Sequence, residues 1–393
     1  MLLEFSVTNF RSIKEKQTLS LLKTKKNELE NNFTTVTLST GKTLDVLNSA
    51  VIYGANASGK SNLVNSFNTF VSIVLVLNSK SLYDIEPFLL LENITNNPTE
   101  FEINFVYNGV RFVYGFSATQ EKIIDEWLYQ YPKGRPQALI IREDTNIWNE
   151  TTALKGNKKI WQQSTKDYSL FFSTAVELNS QQLLPIYNFF EQSYSQIFLD
   201  NHLGKVLGAD KSLNLLENNK DKVLSFMYMA DLNISDIVTR YPEEHESSYY
   251  GGKIIEVVRN IGGNKISFDV NEESKGTRKI FFLVGIWLNA LENGCCLVLD
   301  ELQNSLHPKL VEHLVQMFHN PDINKKGAQL IFVTHETSLL NQEIFRRDQV
   351  WFCEKEDNAT ELFSLADFSV RKGAENIEKF YLSGRYGAVP YLR

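Results

Sequence analysis

Gly54-Ala55-Asn56-Ala57-Ser58-Gly59-Lys60-Ser61 follows the pattern G-x-x-x-x-G-K-[ST], a spacing suited to cradling phosphate. Successive backbone N–H groups in such a loop form an anion nest, and a following helix adds the positive end of its dipole. Lys60 has the reach for β- and γ-phosphates, and Ser61 offers a hydroxyl to Mg²⁺. Two apolar runs supply what a phosphate cradle lacks. The first, Cys295 to Leu299, ends on Asp300-Glu301. There Asp300 would hold the water shell of the metal and Glu301 would orient and polarise an attacking water. The plainer alternative is a buried strand whose acids complement the dipole of a following helix, and the phosphate loop favours the chemical reading. The second run, Ala328 to Val333, ends on Thr334-His335. A histidine at a strand end is commonly just a satisfied polar residue. One helix after an acidic strand, however, it falls at the carboxyl edge of the same parallel sheet, where ligands of such sheets bind. Ser274 and Gly276 precede the apolar helix Phe281 to Leu291, and they form either a further anion site or an ordinary helix cap.

These residues require particular elements to hold them. Ser49 to Tyr53 reads as the buried strand before the loop, and Asn62 to Phe67 opens a helix running to about Leu77. Leu3 to Phe10 alternates as a strand, with Gln17 to Leu22 as its neighbour across Arg11-Ser12-Ile13-Lys14. Lys23 to Lys42 is polar and reads as loop or edge strand. Phe101 to Tyr107 and Val110 to Phe116 alternate on either side of Asn108-Gly109, the residues that best tolerate the positive φ of a type I′ hairpin. Ile123 to Tyr131 and Gln137 to Arg142 extend this into an antiparallel meander, a departure from strict strand–helix alternation. Lys155 to Val238 carries a helical period, and no heptad repeat persists long enough for a coiled coil. Glu243-Glu244-His245-Glu246-Ser247-Ser248 reads as a solvated loop in which His245 could bind metal. The expected division is 1–154, a helical insertion 155–250, and 251–393.

A chain of 393 residues with 43% hydrophobic and 22% charged content can bury a sizeable core. Its formal net charge of -7 gives no global field favouring nucleic acid, so any DNA contact would need a local basic patch. Three cysteines, two adjacent as Cys295 and Cys296, exclude a disulfide framework and a C-x-x-C site and point to core packing. The N-terminus lacks the order of a signal peptide, and no apolar run spans a bilayer, so a soluble cytoplasmic protein without membrane contact is expected.

Taken together, these motifs resemble those of ABC-type ATPases, in the SMC-like branch that includes RecF-like and OLD-like proteins and the ATP-binding proteins of bacterial anti-phage operons. Asn9-Phe10-Arg11-Ser12 is similar to the N-terminal motif of that branch, Gly54 to Ser61 to its Walker A, and Glu273 to Arg278 to its signature. Leu297 to Glu301 is similar to its Walker B, Asn304 to His307 to its D-loop, Thr334-His335 to its switch histidine, and Tyr381 to Pro390 to a typical C-terminal stretch. Lys275 stands where the signature usually has its first glycine, and the Q-loop glutamine has no assigned position. The resemblance implies an α/β, ABC-ATPase-like P-loop fold with a mixed core sheet, an antiparallel β-subdomain and a helical insertion. It implies that ATP and Mg²⁺ are bound in a head-to-tail homodimer or higher homo-oligomer, with nucleotide contacts from Arg11, Gly54 to Asn62, and Ser274 and Gly276 in trans. It further implies hydrolysis with Glu301 as base, Lys60 and His335 stabilising charge, and Ser61 and Asp300 on the metal. Three uses for the ATP follow: control of a separate effector nuclease encoded nearby, a RecF-like DNA clamp, or a nucleotide-gated scaffold with negligible hydrolysis. No nuclease motif stands in this chain.

Overall fold

The computed structural model describes residues 1–75, 81–90, 97–194, 197–198, 202–230, 232, 234–243, 252–370 and 376–390. The chain opens with β1 (Leu2–Thr8) and β2 (Gln17–Ser20), then β3 (Phe33–Thr37) and β4 (Thr43–Leu47), which pair with each other. The core strand β5 (Ser49–Tyr53) delivers the phosphate loop to α1 (Lys60–Leu75). Next comes the meander β6 (Thr99–Tyr107), β7 (Val110–Ala118), β8 (Ile123–Tyr131), β9 (Gln137–Glu143) and β10 (Ile147–Trp148). Asn108 and Gly109 both take positive φ, 47° and 73°, and close the two-residue hairpin with Tyr107 opposite Val110. These strands and the first two form one antiparallel sheet in the order β10-β9-β8-β7-β6-β1-β2.

Five helices follow: α2 (Lys158–Ser164), α3 (Phe171–Glu177), α4 (Leu184–Tyr194), α5 (His202–Asn218) and α6 (Lys220–Met229). The two-residue strand β11 (Ile197–Phe198) lies between α4 and α5, and β12 (Asp236–Arg240), β13 (Ile254–Ile261) and β14 (Asn264–Asp269) form a three-stranded antiparallel sheet. The segment 155–250 is therefore not purely helical. β12 is recruited by pairing with β13, and β11 pairs parallel with residues Val298 and Leu299 in the core. His245, with Glu244 to Ser248, lies outside the described residues, as does Leu77 beyond the end of α1.

The last third holds α7 (Lys275–Asn293), β15 (Cys296–Leu299), α8 (Pro308–His319), β16 (Gln329–Val333), β17 (Val350–Glu356), β18 (Ala359–Ser364) and α9 (Ile377–Leu382). The helix expected from Phe281 begins two turns earlier because Ser274 caps it, accepting the Thr277 N–H. The core sheet runs β11-β15-β16-β5-β17-β18, parallel except for the closing hairpin of β17 with β18.

Alternation along the central strands divides the interior in two. Ala50, Ile52, Val298, Ile331 and Val333 join a core with α1 and the antiparallel sheet. There Phe70 stacks on Phe116 at 5.6 Å, and Phe190 meets Phe105 at 5.1 Å. Val51, Tyr53, Leu297, Leu299, Leu330 and Phe332 face the opposite core, built with α7 and α8. Both faces of the sheet are thus covered, which is why its strands read as continuous apolar runs. No helix among the described residues is long and apolar enough to cross a membrane.

Candidate functional site

The phosphate loop leaves the carboxyl end of β5 between β16 and β17 and returns as α1. Two of its glycines are dictated by contact. A Cβ on Gly54 would lie 2.2 Å from the Cys353 carbonyl oxygen, and one on Gly59, whose φ is +106°, would lie 2.0 Å from Thr360 Oγ1. Ala57 also takes positive φ, and it shares the exposed tip with Asn56. Lys60 folds back over the loop, its Nζ donating to the carbonyls of Gly54 at 2.8 Å and Ala55 at 2.7 Å. It is only 5% exposed. Burial pulls its pKa down, against the opposing pull of Cys353, Asp300 and Glu301.

The loop is braced from beneath. Asn62 donates to Ser12 Oγ at 2.7 Å, Ser12 Oγ lies 2.7 Å from Thr360 Oγ1, and Thr360 donates to the Ser58 carbonyl at 2.9 Å. Arg11, beside Ser12, pairs with Glu86 at 3.0 Å, and its guanidinium lies over Phe10. Its Nε is buried without a hydrogen-bond partner. Arg11, Ser12, Asn62, Glu86, Lys355 and Asn358 line a cleft of about 540 Å³ beside the loop.

The acidic edge meets this cradle from the neighbouring strands. Asp300 follows β15, and its carboxylate lies close enough to the Ser61 hydroxyl to be influenced by it. Burial pushes its pKa up, with Ser61, Lys60 and His335 opposing and Glu301 adding to the rise. Asp300 Oδ1 is buried and has no hydrogen-bond partner. Glu301 has a φ of 51°, an uncommon backbone state for a non-glycine residue. Its carboxylate accepts from Asn304 Nδ2, and its carbonyl accepts from Lys279 Nζ at 2.8 Å. His335 follows β16, where Thr334 N–H still bonds to the Ile52 carbonyl. Its pKa is lowered by burial and by Lys60, and raised by Glu301 and Asp300. Asp300 and His335 thus sense each other, Lys60 and Glu301, and Lys60 senses both acids, although the three residues follow three different strands.

The fold brings Lys60, Ser61, Asp300, Glu301 and His335 together. Ser274 and Gly276 have other neighbours in this chain. The Ser274 hydroxyl is 2.9 Å from Thr277 Oγ1 and 3.1 Å from the Thr277 nitrogen, and a Cβ on Gly276 would lie 2.7 Å from the Ser305 carbonyl. Ser274 and Lys275 are exposed. Three supports went unread in the sequence: Thr360, Cys353 and Lys279. Thr360 follows a turn at Asp357-Asn358, where both residues have positive φ, but nothing local marks it as a brace for a loop 302 positions away.

A strand, a glycine-rich loop and a helix at the carboxyl ends of a parallel sheet, faced by an acidic strand end, define the class of P-loop nucleotide-binding proteins. The chain belongs to the family described as "AAA domain, putative AbiEii toxin, Type IV TA system", whose model matches residues 49–341. That membership agrees with the ATPase resemblance, and the parallel core sheet covered by helices is the α/β fold expected from it. Similar solved structures include an SMC head domain from Thermotoga maritima, with 13% identity, 94% of this chain and 99% of that chain covered, and a TM-score of 0.46. Another is an Smc head domain with an extended coiled coil, bound to the C-terminal domain of ScpA, derived from Pyrococcus furiosus. It is 12% identical over 92% of this chain and 96% of that chain, with a TM-score of 0.45. Comparison with curated proteins gives no match.

Proposed function

We propose that the chain binds ATP and hydrolyses it to ADP and phosphate, and that two copies close around the nucleotides. The observation that carries this reading is the convergence of Lys60, Ser61, Asp300, Glu301 and His335 on one loop. Ser61 and Asp300 fit a magnesium ion, since a hydroxyl and a carboxylate are near enough to influence each other and Asp300 Oδ1 is buried with a lone pair unused. Bound Mg²⁺ would supply charge neutralisation at the β- and γ-oxygens. The loop N–H groups and the Lys60 ammonium hold the triphosphate, the ammonium leaving its two loop carbonyls to do so. The Glu301 carboxylate takes a proton from the attacking water as its oxygen bonds to the γ-phosphorus and the bond to the bridging oxygen breaks. His335, whose charged form is disfavoured by partial desolvation and by Lys60, donates a hydrogen bond toward the γ-phosphate.

Exposed Ser274, whose hydroxyl within this chain only caps its own helix α7, supports completion of the site by a second copy. The family description names a toxin of a type IV toxin–antitoxin system, which supports a regulatory ATPase acting in bacterial defence with a separate effector, a nuclease in our reading. The test is phosphate release from Mg-ATP together with the assembly state of Glu301→Gln. We expect that variant to bind ATP, to lose turnover by about 10²-fold or more as for removal of a catalytic base, and to accumulate as an ATP-dependent dimer. Turnover near the parental rate would overturn Glu301 as the base, and a monomer at saturating ATP would overturn the sandwich.

A further inference from the structure

We propose that Lys279 is a positioning residue for Glu301, tying the capped start of α7 to the backbone that presents the base. The inference rests on the hydrolytic reading above. Lys279 sits one turn beyond Ser274 and is 8% exposed, so its ammonium is withdrawn from solvent rather than displayed on the helix surface. Nζ ends 2.8 Å from the carbonyl oxygen of Glu301. Burying an ammonium is costly unless it is well coordinated, so a lysine here needs a reason beyond packing.

The receiving backbone supplies one. Glu301 is held at a φ of 51° and Ser305 at 62°, so the turn after β15 contains two non-glycine residues in the left-handed region. Such a conformation persists where surrounding contacts over-determine it. Three contacts do so from one side: Lys279 on the Glu301 carbonyl, Asn304 on its carboxylate, and Gly276 against the Ser305 carbonyl, so close that only hydrogen fits. Two of the three come from the first two turns of α7. A shift of that helix end therefore moves the main chain of the base without passing through the phosphate loop, whose own braces are Ser12 and Thr360. A charge-assisted bond to a carbonyl is also directional, so it sets where the Glu301 plane lies as well as holding the turn.

The experiment compares the full-length parent, Lys279→Met and Lys279→Arg, measuring ATP affinity with a fluorescent ATP analogue, single-turnover hydrolysis and thermal melting. A base displaced by about 1 Å costs about 10²-fold in rate. We expect Lys279→Met to keep the parental affinity while losing turnover on that scale, and Lys279→Arg, which still donates, to recover most of it. Lys279→Gln, too short to reach the carbonyl, takes the place of the methionine variant should that one not fold. Parental turnover in Lys279→Met, or arginine no better than methionine, overturns the positioning role while leaving the hydrolytic reading intact. Affinity, turnover and melting temperature falling together overturns it in favour of a merely structural lysine. A parent that binds ATP without hydrolysing it overturns both readings.

Discussion

The phosphate loop and the start of α7 are both helix N-termini with anion-binding potential, yet they are built in opposite ways. The loop is braced from distant parts of the chain, by Ser12 and Thr360, and approached so closely by Cys353 at Gly54 and by Thr360 at Gly59 that neither glycine has room for a side chain. Its own lysine fills the cradle by bonding to loop carbonyls. The start of α7 is capped by its own Ser274, leaves Ser274 and Lys275 in solvent, and reaches inward through Lys279 and Gly276 to the turn carrying Glu301. One terminus is complete within the chain. The other is wired to the turn carrying Glu301 and open on its outer side, which is what a surface that reads a second copy requires.

The comparison breaks first at Gly59. Replacing it with alanine puts a methyl group on Thr360 and forces positive φ on a side chain, and we expect a loss of about 2–4 kcal/mol in stability along with nucleotide binding. Denaturant unfolding and ATP titration check this, and an ATP-competent, stable alanine variant would show that the loop is not clamped. Thr360→Val keeps the shape but removes the hydroxyl bridging Ser12 and the Ser58 carbonyl. It should cost about 1–2 kcal/mol for the unpaired buried groups and raise KM more than it lowers kcat. Ser274→Ala sharpens the other side. Loss of the cap costs about 1 kcal/mol, whereas a role in trans lowers turnover beyond that and leaves ATP affinity of the single chain intact. A variant with parental turnover at every protein concentration would reduce Ser274 to a cap.

The smallest effect at neutral pH concerns a buried histidine at the end of α8, beside the start of β5. His319 is fully buried against Ser49 at 2.8 Å, and burial pushes its pKa from 6.5 down to about 3. The folded protein therefore excludes a proton that the unfolded chain accepts below pH 6.5. This contribution is fully present above that pH and is lost progressively as pH falls toward 3. Melting temperatures taken from pH 7 to pH 4 should decline, and His319→Gln should flatten the decline. An unchanged slope in that variant would assign acid sensitivity elsewhere.

Much of the candidate site was legible because its motifs are local. The loop pattern, the Asp300-Glu301 strand end and Thr334-His335 each declare themselves within a few residues, and the Asn108-Gly109 hairpin closes as its sequence requires. The segment 155–250 was less legible. Helical period describes α2 to α6, but a strand such as β12 is decided by its partner β13, and two residues, Ile197 and Phe198, become strand only because β15 offers an edge. Arg11 illustrates the same limit. Its motif was visible, while its pairing with Glu86 and its place on the cleft depend on a segment 75 positions away.

By itself the sequence determined which groups could do chemistry and on what kind of element each sits, because anion nests, helix caps and two-residue periodicity are set by neighbours along the chain. Only the packed fold shows that Thr360 holds the phosphate loop and that Lys279 holds Glu301. Those outcomes follow from strand order in the core sheet, where β5 is flanked by β16 and β17 from the far end of the sequence. Contacts of that kind are fixed by packing both faces of the sheet, a condition that no short stretch of residues can express.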